Sequence, residues 1–187
     1  RLSIANCKFA FCNLHFAMLL SEESLMNNPL TGPEENSRGR LDAVAIEQHI
    51  PHRPPFRWID EVVSIDAARI HARKTLAPEL DVFRGHYPAF PVLPGVLQLE
   101  PAFQAGAVLI AHLGSIAADS VPVVTRVNNV QFRQLVRPGD TLEIEVELTE
   151  KLSKAYFLKG KTSVSGKTTA RLEFACALAP ITDRPAS

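Results

Sequence analysis

The sequence predicts an α+β domain in which one antiparallel sheet of about six strands wraps around a single long apolar helix. Three observations carry this reading. Four strand-like runs follow one another between Val121 and Leu178, separated by tight-turn sequences, which implies antiparallel neighbours. Two more such runs, 58–65 and 69–76, stand earlier in the chain. Between the two groups lies one segment, 94–113, whose positions are mostly apolar or small, with Pro94 suited to its first turn and Gly114 to its end. A helix this apolar must be covered on nearly all sides. One concave sheet would not cover it fully, so a second copy of the chain is expected to cover the rest, giving at least a homodimer.

The elements follow in order. Asp42 is placed to cap a short helix running to about Gln48. The prolines of HIPHRPPF then forbid regular structure. Trp58 to Ile65 and Arg69 to Leu76 read as a strand pair turning at Asp66-Ala67-Ala68. Residues 77–95 are rich in Pro and Gly and read as loop. After the long helix come strands at Val121–Phe132, Thr141–Thr149, Tyr156–Val164 and Ala170–Leu178. The second of these alternates without a fault, Leu142, Ile144, Val146 and Leu148 on one face and Glu143, Glu145 and Glu147 on the other. Leu172, Phe174, Cys176 and Leu178 face inward in the last. Arg137-Pro138-Gly139-Asp140 and Ser165-Gly166-Lys167 are turns.

Twenty Lys and Arg balance twenty Asp and Glu among 187 residues, which argues against a nucleic-acid binder. Cys7, Cys12 and Cys176 are odd in number and scattered, so neither a disulfide framework nor a zinc ribbon is indicated, and a cytoplasmic setting is the simplest. The apolar stretch from Ile4 to Leu20 holds Asn6, Lys8, Asn13 and His15, a poor composition for a membrane span. Arg1 and Lys8 ahead of a short apolar run make a weak leader signal, but Ser-Glu-Glu-Ser follows in place of a cleavage site. An accessory helix, or residues ahead of a start at Met26, is the preferred reading. The polar run 27–40 reads as a linker, which divides the chain into an extension and linker (1–40), a domain (41–180) and a short tail (181–187).

Motifs for common enzyme chemistry are missing: there is no G-x-S-x-G, G-x-G-x-x-G, P-loop or H-E-x-x-H. His49 and His52 have Pro51 between them and read as surface or loop-packing residues rather than metal ligands. Chemistry therefore concentrates in GHYPAFPVLPGVLQLEPAFQ, residues 85–104. His86 sits in a proline-stiffened loop suited to holding a general base still. Glu100 falls among Leu97, Leu99, Pro101 and Phe103, where loss of hydration favours a protonated carboxyl, the form a general acid needs. Its plainer reading is an ion pair with Arg126 or Arg133. Gln104 lies one turn further on the same face. The N–H groups of Gly95 and Val96, at the helix start, suit a carbonyl gaining negative charge. Base, acid and N–H donors together suit elimination of water from a 3-hydroxyacyl compound, with no metal or redox cofactor. Phe83, Tyr87, Phe90 and Phe103 suit an acyl tunnel and plain core packing equally.

These motifs resemble those of the (3R)-hydroxyacyl-acyl-carrier-protein dehydratases of the FabZ type, over roughly residues 42–179. HRPPFRWIDEV is similar to the family's H-R-x-P-F…D-x-V, FRGHYPAFPVLPGVLQLE to its G-H-F-P-x-x-P-V-x-P-G-V-L-x-x-E, and FRQLVRPGD to its F-R-x-x-V-x-P-G-D. The resemblance implies a hotdog fold and conversion of 3-hydroxyacyl to trans-2-enoyl thioesters on an acyl carrier protein in fatty acid biosynthesis. It implies His86 and Glu100 as the catalytic pair, contributed by different subunits of a dimer, with dimers often grouped in threes. Gly95 matches the glycine whose N–H binds the thioester carbonyl, and Val92 the residue whose carbonyl orients the histidine. Glu at position 100, where related dehydratase-isomerases carry Asp, implies dehydration without isomerisation. Two residues depart from the pattern. Pro101 replaces a usual alanine and is expected to kink the helix beside the acid. Phe90 stands where small or basic residues are common, altering the pocket mouth. Arg133, Arg137, Lys151, Lys154 and Arg171 are candidates for docking an acidic carrier. A hotdog thioesterase and a non-catalytic acyl-thioester-binding subunit are the rival readings.

Overall fold

In the computed structural model the described residues are 39–114, 116 and 120–180. The extension, Cys7, Cys12 and the tail lie outside them. Six strands form one antiparallel sheet: β1 (Glu61–Ile65), β2 (Arg69–Thr75), β3 (Ser120–Phe132), β4 (Thr141–Leu152), β5 (Ala155–Val164) and β6 (Lys167–Pro180), in the order β1-β2-β4-β5-β6-β3. The helices are α1 (Ala43–His49), α2 (Asp81–Gly85) and α3 (Glu100–His112), the last preceded by a 3-10 turn at Gly95–Gln98. This is the sheet and helix that the sequence pattern predicts.

Local chemistry sets the punctuation. Asp42 caps α1, its Oδ1 accepting from the Ala45 N–H at 2.8 Å. Asp66 closes the β1–β2 turn by accepting from the N–H groups of Ala68 and Arg69 at 2.7 and 2.8 Å. Those two bonds hold its carboxyl below the usual carboxylate range. At the β5–β6 turn Ser165 and Gly166 both take positive φ, 48° and 76°, the geometry that a two-residue hairpin needs.

The alternation read in β4 is a real two-faced strand. Leu142, Ile144 and Val146 are buried. On the other face Glu143 pairs with Arg73 and His71, Glu145 with Lys161 and Glu147 with Arg69. Exposed pairs of this kind contribute little, so the apolar face fixes the register.

Three details differ from the sequence expectations. The apolar helix does not run unbroken from Pro94. The 3-10 turn ends at Gln98 and α3 begins at Glu100. Pro101 therefore sits in the first turn of α3, where its missing N–H has no intrahelical role. The segment 77–95 contains the short helix α2 rather than loop alone. Trp58 to Asp60 do not join β1, because the Trp58 N–H is taken by a side chain of α3.

The basis for a dimer also changes. Nine of the thirteen residues of α3 are buried within one chain. Strands β2, β4 and β5 pack against it, and α1 contacts it as well. The core beside it takes in Ile46, Ile50 and Trp58. Val108, Leu109 and Ile110 are completely buried, each contributing about 1.5–3 kcal/mol. The uncovered apolar surface is instead on β3. Among the described residues this edge strand pairs with β6 alone, and it leaves Val123, Val124, Val127, Val130 and Phe132 exposed.

Close approach of helix and sheet depends on Gly160 in β5. A Cβ there would lie 2.8 Å from Leu172 Cδ2 and 3.1 Å from the Ala102 Cβ on α3. Gly160→Val is expected to lower stability by about 1–3 kcal/mol through overpacking, measured as a lower urea midpoint with an unchanged m-value.

Candidate active site

The loop after α2 presents His86. The His86 N–H bonds back to the Val82 carbonyl at 3.1 Å, and Tyr87 follows with φ 53°. A non-glycine residue in the left-handed region is strained and reverses the chain abruptly. His86 Nδ1 lies 2.8 Å from the Val92 carbonyl oxygen. A carbonyl can only accept, so the proton sits on Nδ1 and the neutral ring keeps a lone pair on Nε2. Val92 is buried, and the Leu93 N–H bonds to the Val136 carbonyl at 2.7 Å, which pins the loop to the chain beyond β3. The ring of Tyr87 meets His86 edge-on, with centroids 4.6 Å apart.

Glu100 opens α3, and its surroundings are more polar than its sequence neighbours suggest. Its side chain is 21% exposed. Oε1 accepts from Gln104 Nε2 at 2.9 Å and lies 4.0 Å from His52 Nε2. Neither Arg126 nor Arg133 pairs with it among the described residues; Arg133 donates to Gln131.

Gln104 is 1% exposed, and its amide makes three hydrogen bonds, one through Oε1 and two through Nε2. Oε1 accepts from the Trp58 N–H at 2.8 Å, and Nε2 donates to the Phe56 carbonyl at 2.9 Å as well as to Glu100. The Trp58 N–H can only donate, so the amide orientation is set by its partners. The proline-rich segment is thereby fastened to α3 beside Glu100.

The 3-10 turn supplies the N–H donors. Gly95 and Val96 are its first residues, and the Leu97 N–H already bonds to the Pro94 carbonyl. The first N–H groups of a helical turn have no acceptor within it. A Cβ on Gly95 would lie 3.3 Å from the Phe132 ring at the end of β3. The turn and the exposed edge strand are thus in contact.

The remaining candidates divide. Tyr87, Phe90 and Val96 are exposed around the loop, at 65, 50 and 69%. The Arg137 guanidinium lies 4.2 Å from the Phe90 ring centroid. Phe83 is core, and Phe103 packs edge-on against Phe174. Within one chain Phe83 and Phe103 thus pack on the core, while Tyr87 and Phe90 stand exposed. Among the described residues no hydrogen bond or ion pair joins His86 to Glu100 within a chain. A broad groove of about 790 Å³ lies on the outer face of the sheet, among Arg69, His71, Lys159, Lys161 and Arg171. It includes neither His86 nor Glu100 and carries paired surface charges rather than the donors described above.

Sequence reasoning missed His52, which it read as a surface or loop-packing residue. Its Nε2 faces Glu100 and its Nδ1 is buried. The available signal was the first motif itself: the histidine of HRPPF stands four residues from Phe56, whose carbonyl Gln104 holds.

Comparison with known proteins decides the family. The family model of ApeI-like dehydratases matches residues 62–170. The 3-hydroxyacyl-[acyl-carrier-protein] dehydratase FabZ of Erythrobacter litoralis is 39% identical over 153 residues, covering 81% of this chain and 99% of that protein. The FabZ of Anaeromyxobacter dehalogenans strain 2CP-C is 39% identical over 142 residues, covering 74% and 91%. The chain belongs to the FabZ-type dehydratases. Solved structures agree in fold. The dehydratase heterocomplex ApeI:P of Xenorhabdus doucetiae matches with a TM-score of 0.62 at 19% identity, covering 72% of this chain and 90% of that one. The PaaI protein of Escherichia coli matches with 0.51 at 16% identity, covering 62% and 80%. The fold of this FabZ-type chain is the hotdog fold. No helix among its described residues is long and apolar enough to cross a membrane.

Gln104→Leu is expected to destabilise the protein by about 2–3 kcal/mol, because the Trp58 N–H and the Phe56 carbonyl lose their partner. Calorimetric or denaturant unfolding checks this.

Proposed function

We propose that the chain dehydrates (3R)-3-hydroxyacyl thioesters on an acyl carrier protein to trans-2-enoyl thioesters, as a hydro-lyase of fatty acid biosynthesis. The observation that carries the chemistry is the His86 Nδ1–Val92 carbonyl bond, which leaves Nε2 as a base. Nε2 takes the proton alpha to the thioester carbonyl. The N–H groups of Gly95 and Val96 stabilise the oxygen as it gains charge. The C3–oxygen bond breaks as Glu100 protonates the departing hydroxyl, which leaves as water. The proton balance is restored when His86 loses its proton and Glu100 regains one. No metal or redox cofactor enters this scheme. The Phe90–Arg137 contact supports a carrier-facing role for this rim, since Arg137 is one of the exposed cations suited to an acidic carrier.

His86→Ala and Glu100→Gln are each expected to lower turnover by at least about a hundredfold. The product separates this reading from its hydrolytic rival. Enoyl absorbance without free thiol supports dehydration, whereas thiol release from a 3-hydroxyacyl thioester supports a thioesterase. Near-normal rates in both variants would leave a non-catalytic binding role.

We further infer a homodimer in which each site takes His86 from one subunit and Glu100 from the other. Two observations support it: among the described residues of one chain no direct bond joins the two, and the exposed apolar edge of β3 ends at Phe132 over Gly95. Mixing His86→Ala with Glu100→Gln subunits should restore about one quarter of wild-type activity, since half the dimers are mixed and each holds one intact site. Absence of recovery after verified subunit exchange would place each pair within a single chain.

A further inference from the structure

We infer that His52 is a positioning residue for the acid: with Gln104 it grips Oε1 of Glu100, leaving Oε2 to carry the proton toward the substrate. The inference rests on the dehydratase reading and on Glu100 as its acid.

The geometry of His52 carries it. The side chain is 31% exposed, yet its Nδ1 is buried and has no hydrogen-bond partner. A proton on Nδ1 would be a buried N–H without an acceptor, which costs about 1–3 kcal/mol. That tautomer would also turn a bare Nε2 lone pair toward the carboxyl oxygen 4.0 Å away, so the neutral ring carries its proton on Nε2. That nitrogen is the one 4.0 Å from Glu100 Oε1, within a small side-chain rotation of a hydrogen bond. The ring lies nearly parallel to Phe56, with centroids 6.3 Å apart. The Phe56 carbonyl is in turn held by Gln104. The adjacent charges are engaged elsewhere. Arg53 donates to the carbonyls of Ile50, His52 and Glu47, and both Arg53 and Arg57 pair with the Glu47 carboxylate.

A hydrogen bond from Gln104 and a second N–H brought up from 4.0 Å onto the same carboxyl oxygen would have a chemical consequence. A protonated carboxyl has one carbonyl-like oxygen and one hydroxyl oxygen. Donors aimed at Oε1 favour the form in which Oε1 is the acceptor. The proton then resides on Oε2, and the carboxyl cannot swing without losing both contacts. Orientation of this kind changes the rate of the proton-transfer step and leaves substrate binding largely alone.

The test is a set of His52 substitutions read as kcat and KM separately, with Glu100→Gln as reference. Gln can place an amide N–H near the Nε2 position, whereas Asn is too short. His52→Gln is expected to keep kcat within about threefold of wild type. His52→Asn and His52→Leu are expected to lose about tenfold or more in kcat with KM unchanged. Combining His52→Asn with Glu100→Gln should give no further loss beyond Glu100→Gln alone. Wild-type kcat in His52→Asn, equal losses in the Gln and Asn variants, or full additivity with Glu100→Gln would each overturn the inference. If Glu100→Gln itself retains wild-type turnover, the acid assignment fails first, and that outcome is distinct from the others. Thermal unfolding of the Gln and Asn variants identifies any loss due to misfolding.

Discussion

The side-chain amide of Gln104 is the contact on which the site depends. A buried amide with one free position would be costly, and here three partners come from three different places. Two are backbone groups of the irregular segment that follows α1, and the third is the carboxyl of Glu100. Prolines at 51, 54 and 55 keep that segment out of helix and sheet, so its N–H and C=O groups need side-chain acceptors and donors. Gln104 meets that need and, in doing so, brings His52 and Trp58 over the first turn of α3. Packing of the apolar helix and placement of the acid are thus parts of one arrangement.

The strands were the most legible part of the chain, because alternation with period two leaves little freedom once one face is buried. Thr141–Thr149 shows this: every apolar residue of the run faces the core side, with charge pairs opposite. The helix was legible in composition but not in its start. Pro94 and Pro101 are both compatible with a first turn, and only the tertiary structure selects Glu100 as the first α-helical residue. That choice removes the apparent conflict between Pro101 and an intact helix. It also moves Glu100 from the middle of a greasy segment to a helix end, where polar groups from elsewhere in the chain can reach it.

His52 was illegible for a related reason. Local spacing relates residues on one element, whereas His52 and Glu100 belong to different elements joined through a long separation in sequence. The motif match alone indicated that HRPPF matters, without showing how. The reverse holds for the outer face of the sheet. Its charges are conspicuous in sequence and line a broad groove, yet they largely satisfy one another across neighbouring strands. Abundant charge and concavity do not make a reaction centre without an unpaired donor or base aimed into it.

The edge strand lies beside the groups proposed to meet the substrate. His86 is held by its loop, and that loop is pinned beside Val136, just past the end of β3. Gly95 touches Phe132, the last residue of the same strand. Glu100 faces instead toward the HRPPF segment through His52 and Gln104. The proposed base and N–H donors are therefore organised around the end of β3, and the proposed acid around the HRPPF side of the helix start. An exposed row of valines on the strand that edges the sheet among the described residues favours pairing with an identical strand. Such pairing would bring a second copy's groups against the Phe132–Gly95 contact. Under the proposed dehydration, which needs a base at one carbon and an acid at its neighbour, such a pairing would let each of two copies hold one of the two groups rigidly.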